Sequence, residues 1–242
     1  MDEEGAVPAD RPRVWVNCAV SLDGRLAFAH GVRARLSGPE DLVRVHRLRA
    51  ASDAVLVGVG TVAQDDPSLR LHEELLEERP KRHPTRIVVD GSGRTPANAR
   101  FLDGSVPTIV ATTEDNRRTY PPQVQVIRSG RGTVDLRELF RLLRGRGVER
   151  LLVEGGSRIL ASVARERLFD RWSVYYAPVL VGGASAPSMV LGPEAIGPPD
   201  LVPMTRKRVE ALGDGFVVEL APAPEPAHRL SPYETPRPRG TP

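Results

Sequence analysis

Short, almost uninterrupted apolar runs recur along this chain: 54–59 (AVLVGV), 86–90 (RIVVD), 108–113 (TIVATT) and 150–154 (RLLVE). A strand with consecutive apolar residues needs cover on both faces, which neither a lone hairpin nor a one-sided sheet supplies. Further strands are expected at 14–20, 124–128, 173–181, about 205–212 and 215–221. Helical periodicity fills the gaps. One helix is expected near 39–51, opened by Ser37 and Pro39 with Glu40 and Asp41 in its first turn. A second follows Asp135-x-x-Glu138, with Leu136, Leu139, Phe140 and Leu143 on one stripe before Gly145. A third is expected behind Ser157 as its cap, presenting Ile159, Leu160 and Val163. Strands interleaved with helices predict an α/β fold with a mostly parallel sheet flanked by helices. From about 171 to 221 strand follows strand, so the sheet should end antiparallel.

The 242 residues allow one substantial domain or two small ones. Residues 1–12 are polar and mixed in charge, and 222–242 contain seven prolines, so both are expected as tails around a single domain over 13–221. No stretch approaches the ~18 apolar residues of a membrane span, and the start MDEEGAVPAD has no secretory pattern. A cytoplasmic protein is expected. One cysteine, Cys18, excludes an intrachain disulfide and any zinc site needing several thiolates, and its apolar strand marks it as inert core. The 34 basic residues are nearly all arginine, yet the net charge is only +3, the acids are interspersed and aromatics make up 5%. That distribution argues against nucleic acid. The five histidines show no metal-ligand spacing, and no nucleophile elbow, phosphate-binding P-loop or zinc-deaminase signature is present.

Three places could carry chemistry. The strand 54–59 runs into Gly58-x-Gly60-x-x-Ala63, and a later strand ends in Asp90, which formally resembles a dinucleotide fingerprint. Asp65-Asp66-Pro67 interrupts too early for the long helix that fingerprint requires, so this is not a Rossmann turn. The segment 150–160 is a buried strand entering a helix through Gly155-Gly156, with Glu154 at the strand's carboxyl end. Bare glycine backbone beside a helix N-terminus suits an anion, although a tight turn with an acidic cap uses the same residues. On the helix 39–51, Arg49 falls within the stripe of Leu42, Val45 and Leu48, whereas Arg44 and Arg47 are expected to face water. A half-buried Arg49 needs either a protein carboxylate or a ligand phosphate. Asp23, in the loop after the first strand, is a candidate partner or a turn residue.

The ordered set S-L-D-G-R (21–25), D-L-x-R-V-H-x-L-R-A (41–50), V-G-x-G-T-V-x-x-D-D-P-x-L (57–69), R-I-V-V-D (86–90), A-T-T-E-D (111–115) and L-L-V-E-G-G (151–156) resembles the reductase family of riboflavin biosynthesis. That family is related to the C-terminal half of the bacterial bifunctional deaminase–reductase, and the likeness is greatest to its stand-alone archaeal branch. The resemblance spans about residues 14–221. It implies a dihydrofolate-reductase-like fold, a homodimer and NADPH as hydride donor, with NADH as a lesser alternative. It implies reduction of a phosphorylated ribosylaminopyrimidine to the ribitylamino product. A deaminated pyrimidine, or a dihydrofolate or pteridine, is the alternative substrate on the same fold.

By the same resemblance, Thr61 and Asp65 would meet the nicotinamide, and Gly155, Gly156, Ser157 and Arg158 the pyrophosphate. Gly91, Ser92, Gly93 and Arg94 would lie on the adenosine side, with Arg94 at the 2′-phosphate. Arg49 would hold the substrate phosphate. Asn17, Leu69 and His72 would line the substrate pocket, and Glu154 or Asp23 would move the proton. Asn17 stands where the bifunctional bacterial enzymes carry lysine, the archaeal and fungal pattern.

Overall fold

In a computed structural model, residues 7–80, 82–193, 197 and 200–223 are described. They form a nine-stranded sheet in the order β5-β4-β3-β2-β6-β1-β7-β9-β8. The strands are β1 (Arg13–Ser21), β2 (Ala54–Gly58), β3 (Thr85–Val89), β4 (Thr108–Thr112), β5 (Val124–Arg128), β6 (Arg150–Gly155), β7 (Arg171–Ala177), β8 (Met204–Leu212) and β9 (Gly215–Pro222). Every pairing from β5 across to β7 is parallel. The β7–β9 and β8–β9 pairings are antiparallel, as the strand-rich C-terminal segment predicts. The strand expected at 173–181 is shifted: β7 stops at Ala177, where Leu22 N–H instead reaches the Val179 carbonyl.

Two apolar layers cover the sheet. On one face, α3 (Leu136–Gly145) and α4 (Ser157–Arg165) pack Leu139, Phe140, Leu143, Leu160 and Val163 over Val14, Val16, Leu56, Ile87 and Val153. The other face takes α1 (Pro39–Ala50) and the short α2 (Val59–Asp65), where Val59, Val62 and Leu48 meet Val55, Val57, Val88 and Leu152. Adjacent residues of β2 and β6 thus belong to opposite cores, which is why their runs are continuously apolar.

The helix ends show where local signals hold. Asp135 Oδ1 accepts the Glu138 N–H at 2.9 Å, the expected cap of α3. Pro39 begins α1. Asp66 ends α2 in the left-handed region just before Pro67, so that helix lasts under two turns. For α4 the capping expectation is overturned: Gly156 is the N-cap and Ser157 is already helical, with no side-chain cap. Arg11 lies in the segment expected as an N-terminal tail, and it forks onto Asp170 at 2.6 and 2.8 Å. The proline-rich tail beyond Ala223 lies outside the described residues.

Candidate active site

β2 to β5 extend the sheet away from β6 on one side, and β1, β7, β9 and β8 extend it on the other. Where an open parallel sheet divides this way, the loops at the strands' carboxyl ends separate and leave a crevice. A cleft of about 760 Å³ opens there, walled by Cys18, Gly58, Val89, Glu154 and the turns that follow them. It gathers Thr61, Asp65, Gly91, Ser92, Arg94, Glu154, Gly156, Ser157 and Arg158 from separated segments of the chain.

The glycines shape one wall. Gly155 has φ +101°, a region that L side chains rarely adopt. A Cβ on Gly156 would fall 3.1 Å from Thr61 Oγ1, so bare backbone lets the start of α4 approach α2. Asp65 faces the same cleft, and its Oδ1 is buried without a hydrogen-bond partner among the described residues. Burial pushes its carboxyl up, and Arg33 only partly opposes this. The loop of 91–94 is built by Asp90, whose fully buried carboxylate accepts the Arg94 N–H (2.9 Å), the Thr95 N–H (2.7 Å) and the Thr95 hydroxyl (2.6 Å). Asp90 thus acts on its own loop.

A second polar group lies on the α1 side. Arg49 donates through Nε and Nη2 to Glu154 Oε1 and Oε2 at 2.6 and 2.7 Å, with both side chains largely buried. Burial works against the Arg49 charge, but the Glu154 carboxylate more than offsets it and raises the Arg49 pKa. Nearby, His46 is buried, its ring centroid 4.8 Å from that of the exposed His72, and His46 Nδ1 accepts the His72 backbone N–H. Burial first, then Arg49 and His72, lowers the His46 pKa to about 4. Glu154 belongs to both groups, since it walls the cleft and pairs with α1.

Several expectations change. The stripe proposed for α1 is displaced: Leu42 is exposed, and the buried residues are Asp41 and His46. Arg44 does not face water; it bonds Asp41, Ser173 and Asn17. Arg47 does face solvent, paired with Glu77. Hydropathy alone cannot rank positions on a helix whose underside is charged and hydrogen-bonded. Leu69 is buried against the α2-side core, and like Asn17, Arg49 and His72 it lies outside the residues that wall the cleft. Asp23 takes the turn role, accepting N–H bonds from Val181 (3.0 Å) and Gly182 (2.8 Å) and the Ser21 hydroxyl. Those bonds hold its carboxyl well below the usual range, which makes it a poor proton donor. Cys18 borders the cleft, with its thiol pushed up to about 12 by burial. Sequence reasoning missed Arg33 and His30 in the cleft wall, because the irregular loop carrying them has no periodicity to read.

A family model for the RibD C-terminal domain matches residues 12–218. The chain is 38% identical over 217 residues to a protein named 2,5-diamino-6-ribosylamino-4(3H)-pyrimidinone 5′-phosphate reductase in Methanothermobacter thermautotrophicus. That match covers 86% of this chain and 97% of the relative. A protein of the same name from Archaeoglobus fulgidus is also 38% identical over 217 residues, with the same coverage. Among solved structures, the deaminase/reductase from Thermotoga maritima superimposes with a TM-score of 0.72 at 28% identity. The match covers 88% of this chain and 57% of that one.

Proposed function

Because the chain belongs to the RibD C-terminal domain family, we propose that it performs the reaction for which its archaeal relatives are named. It reduces the ribosylamino group of 2,5-diamino-6-ribosylamino-4(3H)-pyrimidinone 5′-phosphate to a ribitylamino group, drawing on NADPH. The observation that carries this reading is the double position of Glu154, at the wall of a dinucleotide-sized cleft and on the α1 arginine. The residues present fit a dinucleotide: the bare backbone at Gly156 beside Thr61, the unpartnered Asp65 oxygen, and Arg94 and Arg158 in the same wall.

When bound, the nicotinamide supplies a hydride to C1′ of the substrate. Thr61 and Asp65 hold the nicotinamide end. Gly155, Gly156, Ser157 and Arg158 take the pyrophosphate, where backbone N–H groups and the helix N-terminus favour negative charge. Gly91, Ser92, Gly93 and Arg94 flank the adenosine, and Arg94 meets the 2′-phosphate that distinguishes NADPH from NADH. Arg49 keeps Nη1 unengaged by the described residues and offers it to the substrate phosphate, which fixes the sugar chain. Asn17 and His72 border the pyrimidine and sugar. Glu154 moves the proton: opening the ribose ring protonates O4′ and leaves a C1′=N imine, and reduction places the hydride on C1′ and a proton on that nitrogen. One hydride and one proton are consumed. The protein works as a homodimer.

The test mixes purified protein with NADPH and each pyrimidine in turn. Oxidation of NADPH with the diaminopyrimidinone phosphate, yielding the ribitylamino product, is the expected result. Turnover of only the deaminated pyrimidine or of dihydrofolate, or no turnover, would overturn the reading.

A further inference from the structure

Glu154, Asn17 and Ser173 stand on three neighbouring parallel strands, β6, β1 and β7. Asn17 pairs with Ser173, and it lies one residue beyond the Val16–Val153 pair that leads to Glu154. The helix α1 meets all three: Arg49 holds Glu154, and Arg44 holds the other two. Arg44 donates Nε to Asp41 Oδ1 at 2.8 Å, Nη1 to Ser173 Oγ at 2.7 Å and Nη2 to Asn17 Oδ1 at 2.8 Å. Asp41 has no exposed side chain, so the helix side of this arrangement is rigidly seated.

A guanidinium donates and cannot accept, so the Asn17 atom facing it must be the carbonyl oxygen. The amide nitrogen then points the opposite way about the same carbon. That nitrogen donates to none of the described residues, although Asn17 is only 5% exposed. The nitrogen is not among the unpartnered side-chain atoms sealed from solvent, so its donors open outward and can meet a ligand. The residue beside it, Glu154, faces the cleft.

We propose that Arg44 is a positioning residue for substrate recognition: it locks the Asn17 amide so that its N–H donors face the pyrimidine head and require a ring nitrogen or carbonyl oxygen there. This rests on the pyrimidine reading given above.

Steady-state kinetics on Asn17→Asp, Arg44→Lys and the double variant test it. Lysine keeps a cation for Asp41 but cannot reach three acceptors at once. For Arg44→Lys, KM for the pyrimidine should rise roughly three- to tenfold, the worth of one hydrogen bond between neutral groups, with kcat and the NADPH KM unchanged. Asn17→Asp presents a second oxygen in place of donors and should raise the same KM further. In the double variant the rise should be smaller than the product of the two, because the orientation that Asn17→Asp spoils is already lost. Multiplicative effects, or a fall in kcat with KM unmoved, would overturn the proposal. Should Arg44→Lys fail to fold, Asp41→Asn/Arg44→Gln removes both charges together, and an unchanged pyrimidine KM in it would overturn the proposal equally. An inactive wild-type protein would instead overturn the reductase reading, and this inference with it.

Discussion

Arg49 and Glu154, 105 residues apart, form a two-pronged ion pair that ties α1 to the carboxyl end of β6. The pair has a consequence for any ligand at this end of the sheet. The acid at the cleft wall is held in one orientation by a guanidinium whose Nη1 no described residue engages, so on the proposed reading one side chain would meet both that acid and the substrate phosphate.

Arg49→Ala should lower kcat/KM for the phosphorylated pyrimidine roughly ten- to a hundredfold, the scale of a hydrogen bond to a charged group. The loss should be much smaller with the dephosphorylated ribosylaminopyrimidine. Equal losses on both substrates would show that Arg49 acts only by holding Glu154. Glu154→Gln should lower kcat, since the amide keeps the shape but carries no transferable proton.

Gly58→Ala would place a Cβ 2.8 Å from Ile159 Cγ1, where α2 and α4 meet. Overpacking of this kind costs about 1–3 kcal/mol, which lowers Tm by a few degrees in a chain of this size. The added Ile159→Ala removes the colliding atom. It should restore part of the loss in a thermal melt, and a double variant no better than Gly58→Ala would refute the contact.

Asp23 closes the loop after β1 onto 181–182, and its hydrogen bonds keep its carboxyl well below the usual range. A lowered folded-state pKa contributes stability above the unfolded value that is lost as pH falls through the folded one. Asp23→Ala should therefore release residues 178–182 at neutral pH, read as faster limited proteolysis there, while in the wild type the tie should begin to weaken only below about pH 4 and be lost in far stronger acid. Unchanged cleavage in the variant would remove Asp23 from this role.

For His46 the sign runs with a lowered histidine pKa. The unfolded chain takes up a proton near the ordinary value of 6.5, but the folded chain does so only near 4. Stability should fall as pH drops through that window and rise as pH climbs back. His46→Gln can still accept the His72 N–H and does not titrate. Its Tm should decline less between about pH 7 and pH 4 than that of the wild type, and parallel declines would refute the assignment.

Much of the architecture was legible because its causes are local. The apolar runs at 54–59 and 150–154 became β2 and β6, and the Leu136-Leu139-Phe140-Leu143 stripe became the buried face of α3. The early stop before Pro67 was readable too, since proline constrains its own neighbour. Less of the site could be read this way. Ser157 looked like a cap, but the bare Gly156 fills that position at the close approach to Thr61.

By itself, the sequence determined the period of the apolar strands and of α3, the stop at Asp66-Pro67, and the motif order that marks the family. Those depend on residues within a few positions of one another, where backbone sterics and side-chain spacing act directly. Only the tertiary structure decided which charges meet. Arg44 finds Asn17 across 27 residues, and Asp23 finds Val181 across 158. Chain spacing carries no information about such partners, because a guanidinium or carboxylate taken from water settles on whichever hydrogen-bonding group the fold brings within reach.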